Sequence, residues 1–186
     1  MEIDIYLDNI SSLLTKGFNY KSVEERLISL KEEIIDCKKR GNKVILMGNG
    51  GSSSIASHLS VDFTKAAGIR AVDYNSAGLI TCLANDYGYD NWMQKALEMY
   101  AEKGDVVILI SSSGNSNNVV NAGKYWKNLG PLVTFTGFSY NNELNSLKAN
   151  HRFWVKSKAY NHVEMVHHIW LVAVVDMIIG REVYSA

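Results

Sequence analysis

The chain has 186 residues, with 19 basic and 19 acidic side chains and no net charge when histidine is neutral. A chain of this length fits one domain, buries about two-thirds of its unfolded surface and needs no disulfide staple. The charge balance, without a long run of one sign, excludes the footprint of a dedicated nucleic-acid binder and leaves small molecules and other protein chains as partners.

The chain opens on acidic residues where a signal peptide would be basic, and no apolar run approaches the length of a bilayer span. A cytoplasmic protein without membrane contact is the expectation. Ile3, Tyr6, Leu7, Ile10, Leu13 and Leu14 keep helical spacing, as do Val23, Leu27, Leu30, Ile34 and Cys37. The second helix ends in Lys38, Lys39 and Arg40, favoured by the macrodipole, with Gly41 as its cap. Residues 1–41 thus read as N-terminal helices for packing and oligomerisation. Residues 44–47 and 106–110 are uninterrupted apolar runs rich in β-branched side chains, which suit parallel strands buried on both faces. Weaker strands fall near 70–74, 132–136 and 152–155, and helices over 53–65, 77–84, 91–101 and 119–129. This alternation predicts right-handed βαβ crossovers and an α/β fold with a doubly wound, five-stranded parallel sheet. Residues 163–179 form a closing helix apolar on nearly every side, which implies contact with another subunit. With no repeat or linker, residues 1–186 read as one domain. Cys37 and Cys82 lie in helical runs far apart, as ordinary packing in a reducing compartment would have them.

Two strands end in similar punctuation, Gly48-Asn-Gly-Gly-Ser-Ser-Ser54 and Ser111-Ser-Ser-Gly-Asn-Ser116. In an open α/β sheet ligands bind beyond the carboxyl ends of the strands, where both loops fall. Glycines let backbone approach a ligand, helix starts present N–H groups and a positive dipole end, and serines add hydroxyl donors. Asn49, Gly50, Gly51 and Ser52, with Ser111, Ser112, Ser113 and Ser116, are therefore candidates to hold a phosphate. The competing reading is that Ser and Asn only cap helices and Gly only turns the chain. No Gly-Lys-Ser/Thr follows either loop, and Ser53 stands where a dinucleotide fingerprint needs its third glycine.

Gly48-Asn-Gly-Gly-Ser52 with His58, Ala84-Asn-Asp-Tyr-Gly-Tyr89, Gly104-Asp-Val and Ser111-Ser-Ser-Gly-Asn-Ser116 together resemble the sugar isomerase (SIS) family, and within it the phosphoheptose isomerases. The resemblance implies a three-layer αβα, flavodoxin-like fold, a homotetramer and a phosphorylated sugar as ligand. It also implies aldose–ketose isomerisation of sedoheptulose 7-phosphate to D-glycero-D-manno-heptose 7-phosphate for surface polysaccharide. Two rivals stand beside it: a non-catalytic SIS module that binds phosphosugar or bridges proteins, and an isomerase of another phosphosugar.

His58 and Asp62 stand four apart on one helix, and Glu164 aligns with His167 or His168 on the last. His58, Asp62, Glu164 and His168 offer ligands for a divalent metal such as zinc, which would polarise a carbonyl. In the family pattern His58 matches a metal ligand, Asp62 replaces a Glu and Glu164 replaces a Gln. Val172 falls where the family has a histidine. His167 matches another family histidine, and Asn161 replaces an Asp that contacts substrate. Asp62 or Glu164 is the expected base beside the carbonyl, and His167 or His168 the group returning the proton across an enediol. The histidines also fit surface pairs, and one of His167 and His168 must point away from the other. Asp86 is a candidate for binding sugar hydroxyls or for capping the next helix.

Overall fold

A computed structural model describes residues 2–16 and 20–183. Met1, 17–19 and 184–186 of the expected single-domain span lie outside the described residues. Two helices lead, α1 (Ile3–Lys16) and α2 (Tyr20–Lys39), and strand β1 (Val44–Gly48) follows. Next come α3 (Gly51–Lys65), β2 (Ala71–Asp73), α4 (Ala77–Tyr87), α5 (Trp92–Tyr100), β3 (Val106–Ser111), α6 (Asn117–Trp126) and β4 (Leu132–Thr136). A 3₁₀ turn (Asn145–Leu147), β5 (His151–Trp154) and α7 (Tyr160–Ile179) complete the described chain.

The five strands form one parallel sheet in the order β2-β1-β3-β4-β5. Its strands are apolar without alternation because both faces are covered. Val44 and Leu46 of β1, with Val106, Ile108 and Ile110 of β3, pack under α2, α3 and α7. Ile45, Met47, Val107 and Leu109 point the other way, under α5 and α6. The expected three-layer fold is thereby present. The chain runs from β1 outward to β2, then returns past β1 to β3 and continues to β4. This reversal puts the topological switch point between β1 and β3, whose carboxyl ends lie side by side with Gly48 opposite Ile110.

Helix α7 differs from expectation in two ways. It begins at Tyr160, three residues before the apolar run, because Tyr160, Asn161 and His162 continue the helix with polar or amphipathic side chains. By length and composition alone it is also apolar enough to cross a membrane, contrary to the reading that no run approaches that length. In the fold its Val163, Val166, Leu171, Val174 and Val175 are buried in the core shared with α2, α3 and the sheet. Its opposite side leaves Met165 and Ile169 exposed. Cys37 is buried in α2 and Cys82 exposed in α4, both as free thiols.

Candidate active site

Both serine-bearing loops leave the sheet at the switch point, and glycine sets how closely they approach. A Cβ at Gly48 would lie 2.7 Å from Ser52 Cβ and 2.9 Å from the Ile110 carbonyl oxygen, so only glycine lets the first turn of α3 tuck against β3. Gly50 caps α3 with φ 54° and ψ −123°, a positive-φ conformation open to glycine. Between the loops lies a cavity of about 290 Å³. Asn49, Gly50, Gly51 and Ser52 line it from the first loop, and Ser111, Ser112, Ser113 and Ser116 from the second, with Ile110, Tyr160 and Glu164 completing the wall.

The serine hydroxyls are not consumed by capping. Ser116 occupies the N-cap of α6 without a side-chain capping bond. The buried Ser112 hydroxyl has no partner among the described residues. Ser111 Oγ accepts from Gly114 N–H at 3.2 Å and Ser113 Oγ from Asn115 N–H at 3.3 Å, which leaves both O–H groups free to donate. Among the described residues no lysine or arginine lines the cavity. Two helix starts and these hydroxyls are the groups it could offer to an anion.

Glu164 is the carboxylate of this cavity, and it stands over the first loop. A Cβ on Gly51 would come within 2.7 Å of its carboxylate carbon. Tyr160, one turn earlier on the same face of α7, lines the same cavity and packs edge-on against Phe138, with ring centroids 4.8 Å apart. Sequence reasoning missed Tyr160 because it precedes the apolar run; its i, i+4 relation to Glu164 was the available signal.

The histidines separate. His58 and His168 line a second hollow of about 370 Å³ together with Ile169, Val172, Ala173 and Asp176. His58 Nε2 is 3.1 Å from Asp62 Oδ2, and His58 Nδ1 is 2.8 Å from His168 Nε2. Burial and the neighbouring His58 ring hold His168 below the ordinary imidazole value. Both nitrogens of His58 are engaged, Glu164 faces the other cavity, and no three His, Cys, Asp or Glu side chains among the described residues converge to hold a metal ion. The expected ligand set does not fit a metal in this arrangement. His167, a candidate proton carrier, is fully buried with its Nε2 3.0 Å from the Thr136 carbonyl oxygen, and it lines neither cavity. Asp86 is exposed, accepts from Asn85 Nδ2 at 2.9 Å and does not line the cavity. From the same segment it is Tyr89 that reaches the site, its hydroxyl donating to Asn49 Oδ1 at 3.2 Å.

The fold and its two serine-bearing loops define a known class, and a family model described as SIS domain matches residues 5–136. The chain belongs to the SIS domain family. It is 35% identical over 132 residues to a phosphoheptose isomerase of Cytophaga hutchinsonii, covering 68% of this chain and 69% of that one. The structure of phosphoheptose isomerase GmhA from Neisseria gonorrhoeae superposes with a TM-score of 0.85 at 24% identity, over 95% of this chain and 97% of that one. The Vibrio vulnificus NanR protein complexed with ManNAc-6P shares the fold at a TM-score of 0.65 and 16% identity, over 96% of this chain and 61% of that one. The family match contains both loops and ends at Thr136, before Tyr160, Glu164 and the two adjacent histidines of α7.

Proposed function

We propose that the chain is an aldose–ketose isomerase of a phosphorylated sugar, converting sedoheptulose 7-phosphate to D-glycero-D-manno-heptose 7-phosphate for surface-polysaccharide precursors. The observation that carries this reading is a carboxylate, Glu164, in the same cavity as the unpartnered Ser112 hydroxyl and Ser116, whose side chain makes no capping bond at the start of α6. The similarity to phosphoheptose isomerases supplies the substrate. The serines and the first-loop backbone hold the phosphate and bring the sugar carbonyl beside Glu164. Glu164 takes the proton from the hydroxyl-bearing carbon next to the carbonyl and returns it to the former carbonyl carbon, while the hydroxyl proton passes from the first oxygen to the second across the enediol, one base serving both carbons. Serine and Tyr160 hydroxyls stabilise the oxygen that gains charge. His58 and His168 line a separate hollow, with Asp62 paired to His58, and take no part in this proton transfer.

The protein acts as a homo-oligomer in the cytoplasm. The exposed Met165 and Ile169 on α7 support self-association, the family resemblance supports a tetramer, and the two free thiols support a reducing compartment. A second reading, a binding module without catalysis, draws support from the apolar Val172 and the position of the histidines outside the serine cavity.

Turnover of sedoheptulose 7-phosphate, measured with and without chelator on the parent chain and Glu164→Gln, separates the readings. We expect turnover in the parent and a loss of about 10²–10⁴-fold in Glu164→Gln with phosphosugar binding retained. Binding without turnover in the parent would favour the module. Loss of turnover on chelation would restore the metal expectation.

A further inference from the structure

The reading of the cavity as a phosphate site also assigns a role to residues outside it. Asn49 lines the cavity, and its side chain has one oxygen and two N–H bonds to offer. The oxygen accepts from Asn118 Nδ2 at 2.9 Å and from the Tyr89 hydroxyl at 3.2 Å, which uses both lone pairs. One N–H donates to Asn118 Oδ1 at 2.9 Å. Asn118 is 2% exposed, and its Oδ1 also accepts from the Val119 N–H at 3.0 Å. A backbone N–H can only donate, so this bond decides which end of the Asn118 amide is oxygen. The reciprocal pairing then passes that polarity to Asn49, whose one unspent capacity is a single N–H.

We propose that Asn118 and Tyr89 are positioning residues that lock Asn49 as a donor-only group in the cavity. A phosphoryl oxygen, which only accepts, suits that group, and a sugar hydroxyl offering its proton there does not. The lock thus selects the phosphorylated end of the substrate for this end of the cavity. It does so although Asn118 touches no ligand.

The probe is inorganic phosphate, titrated calorimetrically into the full chain and into Asn49→Ala, Asn118→Ala, the double variant and Tyr89→Phe. Asn49→Ala and Asn118→Ala should each weaken binding by about tenfold, the size of one good hydrogen bond. The double variant should bind no more weakly than Asn49→Ala alone, because Asn118 acts only through Asn49. Tyr89→Phe, at an exposed position, should weaken phosphate severalfold with an unchanged melting temperature. Should Asn118→Ala fail to fold, Tyr89→Phe combined with Asn49→Ala completes the same cycle. Multiplicative losses in the double variant, or parent-like affinity in Tyr89→Phe and Asn118→Ala, would overturn the lock and leave the phosphate site standing. A parent chain that binds no phosphate would overturn the phosphate site and the lock with it.

Discussion

His167 and His168 are neighbours in sequence, and a helix turns by about 100° between them. His167 faces the sheet. Burial pushes its pKa down to about 4, opposed by the bond to the Thr136 carbonyl, so the ring is neutral in the folded protein. An unfolded chain protonates this histidine near its ordinary value of about 6.5, and the folded chain does so only near the depressed one. The unfolded state therefore binds the extra proton as pH falls from the higher value to the lower, and stability falls with pH across that window by roughly 3 kcal/mol. In His167→Gln, which can still donate to Thr136, chemical denaturation between pH 4 and 7 should show this slope reduced by one proton's share. Which of the two histidines turned inward was not legible in the sequence, because both fit an apolar helix and only the packed sheet decides. Ser111 to Ser116 were legible, since a run of hydroxyls after a buried strand has few other uses. Asn118 was not, because its partner Asn49 lies 69 positions away in the chain.

At the scale of elements, the Gly104-Asp105-Val106 segment of the family pattern proves to be a fastening for strands. Asp105 is fully buried at the start of β3. Its carboxylate accepts from the Lys43 and Glu102 backbone N–H groups at 2.9 Å each and from Asn42 Nδ2 at 3.1 Å, and it pairs with Lys43 Nζ at 2.7 Å. Burial alone would raise its pKa, and these bonds together bring it below the ordinary carboxylate value. The group thus ties the entrance of β1 to that of β3, the two strands whose far ends carry the site. Asp105→Ala should cost on the order of 3 kcal/mol in urea unfolding, with phosphate affinity of the folded protein unchanged. The strands themselves were readable in proportion to their burial. The runs of β1 and β3 announced themselves, whereas β2 is three residues long at the sheet edge and half-buried, so its sequence carries little apolar signal.

At the scale of the molecule, an apolar face runs along α7. A hollow of about 330 Å³ beside Leu14, Val23, Leu27, Ile169 and Trp170 is continued past His168 by the one lined by Val172 and Ala173. A wider one of about 760 Å³ follows at Met177 and Val183, away from both serine loops. A second copy of the chain covers this face in the proposed oligomer. Ile169→Asp places a charge in it, and sedimentation velocity should show the parent as an oligomer and the variant as monomers. A parent that sediments as a monomer would sink the proposal.

The position of Glu164 on the last helix has a consequence for biogenesis. Translation runs from the amino end, so both serine-bearing loops leave the ribosome before Glu164, the one carboxylate that lines their cavity among the described residues. Until α7 docks, Phe135, Phe153 and Val155 lack their cover and the nascent chain is adhesive. The proposed chemistry and the closed core therefore mature in one late event, and a chain released before Tyr160 would carry both serine-bearing loops with neither the proposed base nor a covered sheet.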